Sequence, residues 1–131
     1  TPLLGAAAGR ALALLPECAP RDLANLAWSF ARKGERHEEL FRALGQQAVR
    51  CIVSFNPHDI SDLVWSFAKL SLCEMEVFDA AAKEAIVKVG QFKPEELSNL
   101  LWAFAKVSNG NVLLCEAVAS QAAAKLGAFK P

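Results

Sequence analysis

Along most of the chain the apolar positions recur at steps of three and four. Leu23, Leu26, Ala27 and Phe30 form one such run, and Leu40, Phe41, Leu44, Ala48 and Ile52 form the next. Later runs are Val77, Phe78, Ala81, Ala85 and Val89, then Leu114, Cys115, Val118, Ala122 and Leu126. This spacing brings the apolar side chains of each segment to one side of an α-helix. Between the runs lie the short polar breaks "KGER", "SLCE" and "SNGN", so the elements alternate as helix, turn, helix.

The helix boundaries are marked by residue type. Pro20, Pro57 and Pro94 are placed to occupy a first helical position, where proline loses no needed hydrogen bond. Asp22, Asp59 and Glu96 follow two residues later, where a carboxylate meets orphan amides and the positive end of the dipole. Phe55 and Phe92 precede two of these starts and are predicted to staple onto Ile60 and Leu97; Phe129 stands in the same place before Pro131. Gly90 and Gly127 are expected to end the second helices. Ala48, Ala85 and Ala122 are expected at the tight helix crossings.

The pattern has a period. Trp28, Trp65 and Trp102 are the only tryptophans and are spaced by 37 and 37, and Pro20, Pro57, Pro94 and Pro131 keep the same interval. Three tryptophans share one register by chance with a probability of about 1/37 squared, roughly one in a thousand, so the chain is internally repeated. The repeats run over 20–56, 57–93 and 94–130, and Pro131 begins another. Residues 1–19 match the second half of a unit, because Leu3, Leu4, Ala7, Ala11 and Leu15 fall where Leu40, Phe41, Leu44, Ala48 and Ile52 fall. The Ala/Leu-rich opening is therefore read as a truncated repeat, not as a signal or transit peptide. Neither end carries a polar cap, so the expectation is a segment of a longer protein.

At 100° per residue, Trp28 lies about 140° from Leu23, which widens the apolar arc of the first helix to about 200°. A helix lying on one core needs only about 100°, so this helix is expected to pack on two sides. Such a unit builds an α-solenoid. The predicted fold is a single all-α domain over 1–131, a right-handed α-solenoid of stacked helix-turn-helix repeats. Trp28, Trp65 and Trp102, with Phe30, Phe67 and Phe104, are assigned to its structural core. Replacing Trp65 by Ala is then expected to cost ~3 to 5 kcal/mol.

Composition removes several functions. Fourteen basic and fourteen acidic residues cancel, so no global field draws the chain to nucleic acid or to an anionic membrane. Only the first repeat leans positive, with six basic against four acidic residues. The longest uncharged runs are nine residues, too short for a membrane span. Cys18, Cys51, Cys73 and Cys115 show no CxxC pair and no shared place in the repeat, which predicts buried free thiols and neither zinc site nor disulfide. No phosphate loop, HExxH or GxSxG phrase occurs. His37 and His58 lack nucleophile spacing. No enzyme activity, cofactor or metal is expected.

The phrase "P-x-[DE]-[LI]-x-[ND]-L-x-W-[SA]-F-A-[KR]" recurs as "NLAWSFARK", "DLVWSFAKL" and "NLLWAFAKV". With a 37-residue period it resembles the octotricopeptide repeat family and the related heptatricopeptide repeats, over all 131 residues. It lacks the "PPPEW" form known from green algae. In architecture such proteins look like pentatricopeptide repeats. The resemblance implies a soluble protein of an organelle, mitochondrion or plastid, in which the first helices line a groove that holds single-stranded RNA.

Opposite the apolar arc, Arg21, Asn25, Ser29 and Arg32 fall within a stripe of about 80°. The stripe returns as His58, Asp62, Ser66 and Lys69, and as Glu95, Asn99, Ala103 and Lys106. In a groove, Asn25, Asp62 and Asn99 would present donors and acceptors to bases, one base per repeat, while Arg32, Lys69 and Lys106 neutralise phosphates. The stripe is equally the solvated face that any surface helix has. A second function fits the neutral charge and the alanine-rich "AVASQAAAKLGAF": a non-catalytic protein scaffold, or an accessory subunit of a large organellar assembly such as a ribosome or bioenergetic complex.

Overall fold

The computed structural model describes residues 9–107 and 112–128, and the described residues form helices and turns with no strand. Helix α1 covers residues 9–14. It is followed by α2 (Pro20–Arg32), α3 (Glu38–Arg50), α4 (Pro57–Lys69), α5 (Met75–Val87), α6 (Pro94–Lys106) and α7 (Val112–Ala128). Short 3-10 turns occupy Leu15–Glu17, Ile52–Ser54 and Val89–Gln91.

The three prolines stand at the helix starts as expected. Asp22 Oδ2 accepts the backbone N–H of Ala19 at 3.0 Å, and Glu96 Oε1 accepts that of Lys93 at 2.8 Å. At the middle start the cap is reversed, with Asn56 Oδ1 accepting from the N–H of Asp59 at 2.8 Å. Phe55, Ile60, Phe92 and Leu97 are all buried; Phe129 lies outside the described residues.

The helix ends differ from the expectation for Gly90 and Gly127. Gly90 sits within a 3-10 turn and Gly127 within α7. Among the described residues the left-handed ones are Gly34 (φ 71°) and Ser71 (φ 57°), one after each of the first helices α2 and α4. There Glu35 N–H reaches Phe30 O at 2.9 Å and Leu72 N–H reaches Phe67 O at 2.8 Å, while Gly34 and Ser71 N–H reach Ala31 and Ala68 O at 3.0 Å. These paired bonds form the Schellman stop, which needs a left-handed residue. The helices α3 and α5 stop differently, by tightening into 3-10 turns that reuse their last carbonyls.

Helices α2, α4 and α6 lie side by side in one row and α3, α5 and α7 in another, and the first row is the more closely packed. Between the rows runs a chain of edge-to-face phenylalanines. Phe41 of α3 meets Phe30 of its own pair at 6.3 Å and Phe67 of the next pair at 5.0 Å. Phe78 of α5 meets Phe104 of the next pair at 5.2 Å. Phe30, Phe67 and Phe104 are core residues as predicted. Cys115 holds the register place of Phe41 and Phe78 but is exposed.

Ala48 and Ala85 are buried at the crossings; the side chain of Ala122 lies outside the described residues. The tightest approach is at Gly45, where an added Cβ would stand 2.7 Å from Val77 Cγ2 and 3.4 Å from Phe67 Cζ. Polar bonds also cross between pairs. Ser61 Oγ donates to Glu96 O at 3.2 Å, and Lys88 Nζ donates to Val53 O at 2.8 Å and Phe55 O at 2.5 Å. Glu84 neutralises Lys88 at 3.0 Å.

Two core expectations are corrected. Trp28 and Trp102 are 36% and 42% exposed, and Trp65 is half-buried against the core edge, so the tryptophans do not form the centre of the repeat interface. The buried pegs there are smaller, such as Ala27 and Val64, because closely packed helices leave no room for an indole. The four cysteines are free, but none is fully buried: Cys18 and Cys51 are half-buried, Cys73 and Cys115 exposed. Burial pushes the Cys18 and Cys51 thiols up, and each donates Sγ–H to a carbonyl four residues back.

Candidate functional site

Helix α4 is covered on its two flanks by α2 and α6, which each have one described first helix beside them, and the second row lies beneath all three. One face is left open. On α2 it carries Arg21, Asn25, Trp28 and Arg32, at i, i+4, i+7 and i+11, an arc of about 60° on helical geometry. On α4 the same places hold His58, Asp62, Trp65 and Lys69, and on α6 Glu95, Asn99, Trp102 and Lys106. Four rows of three residues therefore cross the aligned helices.

Of the predicted binding residues, Arg21, Asn25, Asn99, Arg32, Lys69 and Lys106 are exposed on this face, and Asp62 is half-buried in it. The serine row is elsewhere. Ser29 is exposed, but Ser66 is fully buried and donates its hydroxyl to Asp62 O at 2.6 Å; Ala103 is buried too. That row faces the preceding first helix, and only α2 has no described helix on that side. Ser66 is thus removed from the open face by its neighbour.

The tryptophans take the vacant place. Trp65 and Trp102 have ring centroids 6.3 Å apart with planes at 33°. Arg32 lies over the Trp28 ring at 5.1 Å, and Lys106 over the Trp102 ring at 5.6 Å. Their position was readable from the wheel, since Trp28 lies only about 20° from Arg21 and about 40° from Arg32. The prior that large aromatic residues are buried hides this.

Charge divides the face. The tryptophan row and the row of Arg32, Lys69 and Lys106 contain no carboxylate. The other two rows contain Asp62 and Glu95, and here His58 bridges α4 and α6, with Nε2 3.1 Å from Asp62 Oδ2 and Nδ1 3.4 Å from Glu96 Oε2. Burial raises the Asp62 pKa; His58 opposes this, Asp59 and Glu96 add to it, and Arg21 opposes it. His37 serves the fold instead, capping α3 by accepting the Leu40 N–H at Nδ1, 3.1 Å.

Among the described residues, no His, Cys, Asp and Glu group is arranged to hold a metal ion, and no helix is long and apolar enough to cross a membrane. A groove of about 480 Å³ on the second-row side is lined by Val49, Ile52, Val53 and Ala80 together with Glu76, Asp79, Lys83 and Glu84. The open face carries polar side chains, a ring and a cation in each helix pair.

The family model for the RNA-editing substrate-binding complex 6 protein matches residues 2–124. The chain belongs to that family. The match covers the first two repeats and most of the third, and the family is a different one from the octotricopeptide and heptatricopeptide repeats. A comparison with curated proteins finds no match.

Proposed function

We propose that this chain is a non-catalytic accessory subunit of an RNA-editing substrate-binding assembly, a helical scaffold that joins protein subunits to RNA. The family match carries this reading. The aligned open face supports it, because a surface repeated across three helix pairs suits an extended partner better than a small substrate. The 37-residue register and the two rows of helices support a right-handed α-solenoid, in which closer packing of the first row would make the open face concave. An organellar location is part of this reading, and the family match supports it.

A specific observation favours direct RNA contact within that role: Arg32, Lys69 and Lys106 stand one per repeat on the open face. In this second reading they neutralise phosphates while Asn25 and Asn99 meet base edges, one base per repeat.

The test is affinity purification of the tagged full-length protein from its native cells, with and without nuclease. A defined set of protein subunits retained after nuclease, together with editing-substrate RNA in the untreated sample, is expected. A protein recovered without other subunits under both conditions overturns the accessory reading.

A further inference from the structure

We propose that the aromatic and basic half of the open face is a stacking site for the unpaired bases of single-stranded RNA. Trp28 and Trp102 are its platforms, and Arg32, Lys69 and Lys106 its phosphate partners. The site rests on the RNA-linked role above, and goes beyond base-edge reading by asparagine.

Three observations converge. The three tryptophans of the chain share one register, and that register points outward: two of them expose more than a third of their surface although smaller side chains fill the core. A water-facing indole gives up the burial that ordinarily stabilises it, so another contact must account for its repeated use. Next, a cation stands one helical turn beyond each ring, and the two rows together hold no carboxylate. An extended polyanion with evenly spaced charges fits one cation per repeat; a folded protein partner has no reason to follow that period. Third, Trp65 packs beside Trp102 at 6.3 Å and is half-buried. It acts as a positioning residue that limits the tilt of the Trp102 ring.

In the free protein Arg32 and Lys106 rest over the rings. At an exposed site that attraction is weak, so each cation can swing to a phosphate and release the ring face to a base. Stacking is tolerant of sequence, because every base has a π-face, and duplex RNA hides those faces. Asp62 and Glu95 confine the strand to the carboxylate-free half.

The experiment uses the full chain, its tryptophan fluorescence, and an unlabelled 12-nucleotide oligouridylate, with duplex RNA of the same length as control. Quenching by the single strand and not by the duplex is expected. Trp28→Ala and Trp102→Ala should each weaken oligouridylate binding by on the order of 5- to 150-fold while leaving the salt slope unchanged. Lys106→Ala should lower that slope by about 0.7. Trp102→Phe should recover part of the affinity, and circular dichroism must show every variant folded. Tryptophan variants that bind like the parent, or equal quenching by duplex, overturn the proposal. It also falls if Trp28→Ala and Trp102→Ala keep RNA affinity but lose the nuclease-resistant protein subunits, since the face is then a protein interface. Loss of oligouridylate binding with subunits retained supports the stacking site. Oligouridylate binding by a chain that retains no subunits sinks the accessory reading alone.

Discussion

Phe67 and Trp102 have similar apolar bulk but opposite surroundings. Phe67 is sealed between Phe41 and the edge of Gly45, whereas Trp102 is 42% exposed. Phe67→Ala should therefore cost about 3 to 5 kcal/mol in urea unfolding, and Trp102→Ala under about 1.5 kcal/mol. Trp65, half-buried, should fall between them. Asp62 offers a test by pH. Its folded pKa is raised, chiefly by burial, so the protonated form is the one the fold favours. That contribution is present below the ordinary carboxylate pKa and is lost as pH rises through the raised value. Unfolding measured from about pH 3 to pH 6 should show the parent losing stability relative to Asp62→Asn as pH increases. The same substitution should tighten RNA binding, since it removes an anion from the open face.

At the scale of elements, the ends of helices carry information that composition disguises. Ser71 occupies the left-handed place that Gly34 fills one repeat earlier. A side chain there is strained by its Cβ, so Ser71→Gly should raise stability by roughly 0.5 to 1 kcal/mol, read as a shift in the urea midpoint. Lys88 does the opposite kind of work, holding two carbonyls of the preceding connector. Lys88→Met keeps the stem but removes the donors, and should cost about 1.5 to 3 kcal/mol. Helix existence, the proline starts and the phenylalanine core were legible in sequence because each depends on spacing within one segment. The stops were not. Glycine is visible at Gly90, but whether a carbonyl is satisfied by a left-handed residue, a 3-10 turn or a lysine 33 residues away depends on the neighbouring pair.

In the whole molecule, each pair is stabilised by the pairs beside it. Helix α4 is flanked on both sides, and Ser61, Ser66 and even Asp59 are buried in it. Its counterparts Ser98 on α6 and Ser29 on α2 remain exposed. Amide hydrogen exchange should accordingly be slowest in α4 and faster in α2 and α6, and a uniform rate across the three would contradict nearest-neighbour stabilisation. Function follows the same logic. A neutral chain can still offer a polyanion a favourable track when one row of its open face holds only cations and the carboxylates of that face lie in other rows.

The sequence alone determined the all-helical character, the 37-residue register and the rows of polar residues, because each follows from periodicity along a single helix. Only the tertiary structure decided which rows stay open. Ser66 and Trp65 are adjacent in sequence and differ by one helical step of 100°; packing of α2 against α4 closes over the small hydroxyl and leaves the indole row at the surface. Exposure is a property of what lies beside a residue, and in a stack of repeats the neighbour is 37 residues away.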